Sequence, residues 1–460
     1  MAIADVWHGA NTTTTVILVC RGDVNGETLT VTCNGSTFTG VVDTAVYSGF
    51  IKITVTGLSA GTRYPYSVVG SSGDPITGTC QTKKASGQDV IIYSSCYDKH
   101  NPQILGKLRK WIEDTGNHPD VIIFGGDFPY ADGNGKTDNG VTTIPAKGSI
   151  AASQNAANMN LHHIQMRRYK NVQYFMRNYP CRYMPDDHEW GFDDAANSLT
   201  AYRAGVTGAG AATAGDLALC WAAMLSGAQC GTLINPTNSD SPIDATALYF
   251  RESFLHTEMF VTDCMQHRSD PADADGPGKV MLGATQRAWL ADKITNSSKT
   301  FKLWVSGKQF WKGGTNSDAY SYLGAGNPGY QNELALTLQG CLPSSKGLLA
   351  VAGDQHVPTD QQVAANYMGG THQEISCLVA CPAGVDLNDT GVATPAAEIV
   401  WRGYTAPGGT TADKDYHVMG VFIADADKIE RYLLTSDRGL VSMGYIEVGS
   451  NAVQHKRVRM

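Results

Sequence analysis

Seven side chains in this 460-residue sequence have the types and spacing for metal-assisted chemistry: Cys96, Asp127, Tyr130, Asp187, His188, Asp354 and His356. They follow four short apolar runs, in VIIYSSC, VIIFGGDFPY, CRYMPDDH and LLAVAGDQH. A β-branched run that stops at glycine or polar residues reads as a buried strand ending abruptly. Open α/β sheets place their ligand sites at the carboxyl ends of such strands. Asp127 is central, because the glycines before it let the chain turn and leave both carboxylate oxygens able to serve two ions. The donors also sort by type. Asp127, Asp187 and Asp354 offer hard oxygens suited to Ca²⁺, Mg²⁺ or Mn²⁺. Cys96, Tyr130 and His356 offer thiolate, phenolate and imidazole, which suit a transition metal, and a phenolate favours a trivalent one. Singly, each has an ordinary explanation: Asp187 as a helix cap, His356 as a satisfied interior histidine, Cys96 as a small core residue. Recurrence on four strands favours one shared site.

The elements that must position these residues fall into two regions. Residues 1–86 are rich in Thr, Val and Gly, with period-two stretches such as Ile51, Ile53 and Val55, and turns such as Asp23-Val24-Asn25-Gly26. This predicts a small antiparallel β-sandwich domain. The segment GLSAGTRYPYSV, Gly57 to Val68, resembles the turn and tyrosine corner of fibronectin-like sandwiches. KKASGQ, Lys83 to Gln88, reads as a flexible linker.

Residues 87–460 form the second region, in which strands alternate with helices. A strand ending at Ser94 to Cys96, a helix opened by Pro102, and the strand Val121 to Phe124 make a βαβ unit, bringing Cys96 and Asp127 side by side. Leu161 to Asn178 reads as helix, 132–160 as a long surface loop, and 195–238 as an Ala- and Gly-rich helical stretch. The pieces Glu374 to Pro382, His417 to Ile423 and Glu430 to Ser436 are expected to complete a second sheet.

Bulk properties narrow the function. A hydrophobic share of 42% supports a sizeable core, and a net charge of -8 argues against strong nucleic-acid binding, which needs clustered Lys and Arg to neutralise phosphates. No apolar run is long enough to span a membrane, and the opening MAIADVWHGA shows no signal peptide. Eleven cysteines lack zinc-type spacing; pairs such as Cys20 with Cys80 or Cys220 with Cys230 could bridge in an oxidising compartment.

The ordered set SSC, GGDFPY, DDHE and GDQH, with FVTDCMQHR and LGATQRAWLADKI between them, resembles the PhoD-like alkaline phosphatases and phosphodiesterases of the calcineurin-like metallophosphoesterase superfamily. The resemblance implies an α/β fold of four layers, two mixed β-sheets packed face to face with flanking helices, preceded by an all-β fibronectin- or immunoglobulin-like sandwich. It implies that Cys96, Tyr130 and His356 hold iron(III), and that Asp127 bridges to a second ion, calcium, completed by Asp187 and Asp354; manganese, magnesium or zinc are the other ions considered. His188 is then the catalytic histidine and Arg268 a substrate-binding residue. The implied reaction is hydrolysis of a small phosphate ester, mono- or diester, by hydroxide generated between the two ions and attacking in line. The alternative is a non-enzymatic surface or virion assembly protein that retains the fold. Two departures stand out: Trp190 to Asp193 replace the residues that usually follow DDHE, leaving Asp193 or Asn197 as substitute ligands, and Met265 replaces an arginine. The resemblance favours a location outside the cytoplasm, although the family's twin-arginine signal is absent from the sequence.

Overall fold

The computed structural model describes residues 5–44, 49–71, 73–96, 102–127, 170–187, 248–271, 273–312, 320–322, 329–341, 348–354, 359–363, 375–379, 397–402, 418–435 and 439–448. The expected loop at 132–160, the helical stretch at 195–238 and residues 161–169 of the helix expected from Leu161 lie outside these.

Seven strands come first: β1 (Asp5–Asn11), β2 (Val16–Arg21), β3 (Thr28–Cys33), β4 (Ser36–Val41), β5 (Phe50–Val55), β6 (Arg63–Val69) and β7 (Ile76–Gln81). They form two antiparallel sheets, β1-β2-β5 and β4-β3-β6-β7. Alternation sets the inward face: Leu29, Val31 and Cys33 of β3 are buried with Val16, Leu18, Ile53, Val55 and Val68. The β3–β4 hairpin turns on Asn34 and Gly35, at φ 50° and 73°, the left-handed pair a two-residue hairpin needs. Tyr64 behaves as the expected tyrosine corner, its hydroxyl accepting the Ser59 N–H at 2.9 Å.

The lysines expected to be flexible are instead pinned. Lys83 pairs with Glu252 at 2.9 Å and Lys84 with Asp120 at 2.7 Å. Polar composition suggested a free linker, but two buried carboxylates across the junction supply counter-charges that no local pattern reveals.

The second region continues with β8 (Asp89–Ser94), α1 (Pro102–Thr115), β9 (Val121–Gly125), α2 (Lys170–Asn178), β10 (Cys181–Met184), β11 (Phe250–Ser253), β12 (Thr257–Val261), α3 (Gly283–Asn296), β13 (Phe301–Ser306), β14 (Trp311–Lys312), β15 (Ser321–Tyr322) and α4 (Gln331–Gly340). Then follow β16 (Leu348–Ala352), β17 (Thr359–Val363), β18 (Ile375–Val379), β19 (Ala397–Arg402), β20 (Val418–Ala424), β21 (Lys428–Thr435) and β22 (Gly439–Glu447). A six-stranded sheet has the order β10-β9-β8-β20-β21-β22, and a seven-stranded sheet the order β11-β12-β13-β16-β18-β17-β19. Both mix parallel and antiparallel neighbours.

Successive residues divide between two cores, which explains strands that are apolar throughout. Ile91 and Tyr93 meet Val261, Leu303 and Val351 between the sheets. Ile92, Ile122 and Phe124 face outward onto Ile104, Leu108 and Ile112 of α1 and Val172 and Phe175 of α2. Phe260, Trp304 and Ala350 face the other way onto Leu290 of α3 and Leu334 of α4. The result is helix, sheet, sheet, helix. Each fully buried large side chain contributes about 1.5–3 kcal/mol. Trp7, Val19 and Phe50 of the sandwich join the α1–α2 core, and the Tyr66 hydroxyl donates to the Arg177 carbonyl at 2.9 Å.

Two expectations are corrected. Residues 418–424 and 428–435 do not complete the second sheet; β20 pairs antiparallel with β8, Gly420 opposite Tyr93, and β21 follows it in the first sheet. Val418–Ala424 is buried along its whole length, so its pattern carried no information about which sheet it joins. Cys20 and Cys80 do not bridge: the Cys80 sulfur lies 3.7 Å from that of Cys33, and all three are free thiols. Cys33 and Cys80 lie on strands flanking β6, a neighbour relation fixed by hairpin order.

Candidate metal centre

Strands β10, β9 and β8 are adjacent and parallel, so their carboxyl ends lie together. Cys96, Asp127 and Asp187 stand just past those ends. Asp354 stands just past β16 in the facing sheet. Cys96, Asp127 and Asp354 take φ values of 56°, 53° and 67°. Left-handed backbone costs non-glycine residues about 1–3 kcal/mol each and persists where the surroundings enforce it, typically at functional sites. The only other such residue described, Asn34, sits in the hairpin turn.

The geometry joins both sheets. The Cys96 N–H donates to the Gly126 carbonyl at 2.9 Å. The Cys96 thiol donates to Asp127 Oδ2 at 3.5 Å, and the Asp354 N–H donates to the Cys96 sulfur at 3.1 Å. Two ligand atoms bound about 2.0–2.3 Å from one ion lie about 3–4 Å apart, so the Cys96–Asp127 spacing fits a shared ion. Asp127, Asp186 and Asp187 each bring a carboxylate oxygen within 4.8 Å of the others, and all three are buried. Gly126, at φ 96°, permits this approach, since a Cβ there would lie 2.5 Å from the Asp186 Cβ.

A cluster of buried carboxylates requires positive charge. Lys308 supplies some of it. Its Nζ lies 3.1 Å from Asp186 Oδ1 and 2.9 Å from Asp187 Oδ2, and also pairs with Asp354 Oδ1. Its side chain has no solvent exposure. Burial pushes the Asp186 carboxyl well above the usual carboxylate range; Lys308 opposes that, while Asp187, Asp127 and Asp354 add to it. The sulfur of Cys96 and the carboxylate of Asp127 fit bound metal, while the oxygens on the other side are engaged by Lys308.

Of the residues singled out in the sequence, Cys96, Asp127, Asp187 and Asp354 are brought together. Tyr130, His188 and His356 lie outside the described residues, as do Asp193 and Asn197. Arg268 is buried beyond β12, where its Nε donates to the Tyr330 hydroxyl at 3.3 Å and its Nη1 contacts the Met265 sulfur at 3.7 Å. Sequence reasoning passed over Asp186 and Lys308. Asp186 carried the same signal as the others, as the first acid of DDHE; Lys308 follows the apolar run FKLWVSG but is not a ligand type.

The PhoD-like phosphatase family model matches residues 91–443, which include every one of these positions. The chain belongs to the PhoD-like phosphatase family. A solved structure described as that of PhoD is similar over 98% of this chain and 92% of its own, with a TM-score of 0.70 at 17% identity. A weaker similarity, with a TM-score of 0.39 and 10% identity, covers 81% of this chain and 90% of GAP50, described as the anchor in the inner membrane complex of Plasmodium. No curated protein matches the sequence. As a PhoD-like phosphatase the chain is a metal-binding hydrolase of phosphate esters. Among the described residues, no helix is long and apolar enough to cross a membrane.

Proposed function

We propose that this PhoD-like phosphatase hydrolyses small phosphate mono- or diesters at a pair of positive charges that share Asp127. The observation that carries this reading is the contact of the Cys96 sulfur with the Asp127 carboxylate and with the Asp354 backbone N–H, which brings a soft donor and a hard donor together where the two sheets meet. Cys96 and Asp127, with Tyr130 and His356, are the residues that would hold a transition metal, iron(III) by donor type. Asp186, Asp187 and Asp354 surround the second positive position, where the Lys308 ammonium lies. Metal bound in such a centre lowers the pKa of water and neutralises phosphoryl oxygens.

The chain's own residues do the rest. Asp127 would hold metal beside Cys96, through the oxygen that already meets the sulfur. The left-handed turns at Cys96, Asp127 and Asp354 hold the donors in place before substrate arrives, so little reorganisation is left for the reaction. His188, next to Asp187 in sequence, is assigned the proton transfer to the leaving alkoxide, a contribution of about 10²- to 10⁴-fold. Arg268 is proposed to assist phosphate binding.

The test is release of aryl alcohol from aryl phosphate mono- and diesters by metal-replete protein. Activity lost in Asp127→Asn and on chelation supports the reading; metal-replete protein inert on both esters across the pH range overturns it.

A further inference from the structure

We propose that Lys308 is a built-in cation: its ammonium permanently fills the second position, so the centre takes one metal ion, beside Cys96 and Asp127, rather than two. This deepens the hydrolase reading above and rests on it.

Calcium takes six to eight oxygens at about 2.3–2.6 Å. Lys308 already engages one oxygen of each carboxylate that would furnish that shell, Asp186 Oδ1, Asp187 Oδ2 and Asp354 Oδ1. An ammonium at their centre and a calcium ion at their centre exclude each other. Lysine also suits the place, being a compact point charge with three donors for three acceptors.

The backbone shows that this placement is built. The Ser306 hydroxyl donates to the Lys308 carbonyl at 2.7 Å, and the Gly353 N–H donates to the Gly307 carbonyl at 3.1 Å. Gly307 passes so close to Asp186 that a Cβ there would lie 2.9 Å from Asp186 Oδ2. The residue before Lys308 is thus tied to the end of β16, next to Asp354, and the whole lysine side chain is enclosed. Withdrawing it would move a long stem out of a packed interior and leave three buried carboxylates facing one another. In the hydrolysis, the ammonium would supply the fixed positive charge that a second metal otherwise brings.

The experiment is metal analysis of the full chain and of Lys308→Gln, each equilibrated with excess calcium chloride and freed of unbound ion, with melting temperatures recorded with and without calcium. The expected result is one transition-metal ion and no calcium per wild-type chain, with a melting temperature indifferent to calcium. Lys308→Gln is expected to gain one calcium per chain and to melt about 2–5 °C higher in its presence. Wild-type protein that takes up calcium one-to-one overturns the proposal, as does a folded Lys308→Gln that takes up none. If Lys308→Gln does not fold, calcium titration of the wild type decides: absence of binding supports the proposal and one-to-one binding contradicts it. These readouts do not depend on catalysis, so protein inactive on phosphate esters would sink the hydrolase reading while the metal count still decided the role of Lys308.

Discussion

The backbone N–H of Asp354 donates to the sulfur of Cys96 across 3.1 Å, linking the end of β16 in one sheet to the end of β8 in the other. A donor aimed at sulfur favours the thiolate, the form that binds metal. Both residues pay for this position in backbone strain, with φ values of 67° and 56°. Cys96→Ala and Cys96→Gly should each lose the transition metal and the activity. In metal-free protein, however, Cys96→Gly should exceed Cys96→Ala in unfolding free energy by about 1 kcal/mol, because glycine accepts the left-handed backbone. Denaturant unfolding of the two variants checks this; equal stabilities would show that no strain is stored there.

Arg182 and Glu252 form a buried bidentate pair, Nε to Oε2 at 2.7 Å and Nη2 to Oε1 at 2.6 Å, which joins β10 of one sheet to β11 of the other. Lys83 adds a third charge at 2.9 Å. Burial raises the Glu252 pKa, but the two cations outweigh it and hold the carboxyl down at about 2. Glu252→Ala strands a fully buried guanidinium and should cost about 3–5 kcal/mol, whereas Arg182→Leu combined with Glu252→Leu should cost less than that single change. Denaturation of both variants gives the comparison.

His8 should make stability depend on acidity. Burial, the largest influence, drives its imidazole from 6.5 to about 3. Its Nε2 accepts the Gln81 N–H at 2.8 Å. Between these values the unfolded chain binds a proton that the folded chain does not, so stability falls as pH falls from about 6.5 towards about 3, by on the order of 4 kcal/mol. Asp120, raised by burial to about 6 against Lys84, acts in the opposite sense between its ordinary value and about 6, which makes a wild-type profile alone ambiguous. The difference between wild type and His8→Gln isolates the histidine: wild type's advantage should shrink steadily on acidification from about pH 7 to 4. A difference that does not vary with pH would contradict it.

Glu333 of α4 accepts the backbone N–H groups of Met281, Leu282 and Gly283, at the start of α3. The amides of Leu282, the N-cap, and Gly283 have no partner within the helix and lie at its positive end. Glu333→Ala should cost about 2–3 kcal/mol, and Glu333→Gln less, as read from melting temperatures.

Much of this was legible in the sequence because burial and chemistry leave local marks. VIIFGGD announces a two-sided strand and an abrupt stop, and GLSAGTRYPYSV announces its own hydrogen bond from Ser59 to Tyr64. What depended on distant partners was not legible. Val418–Ala424 is apolar on both faces and fits either sheet equally well. Lys83 looks like a linker residue until Glu252 is seen opposite. Lys308 escaped notice because a lone lysine after a strand is ordinarily a solvated charge, and only the fold surrounds it with Asp186, Asp187 and Asp354.

Phosphoester hydrolysis is proposed to depend on the charge held at Asp127. The most direct measurement is the rate of aryl phosphate hydrolysis by metal-replete wild type beside Asp127→Asn, with both shown to be folded. The predicted result is a loss of more than about a hundredfold in the variant, several kcal/mol of transition-state stabilisation. Equal rates would contradict it.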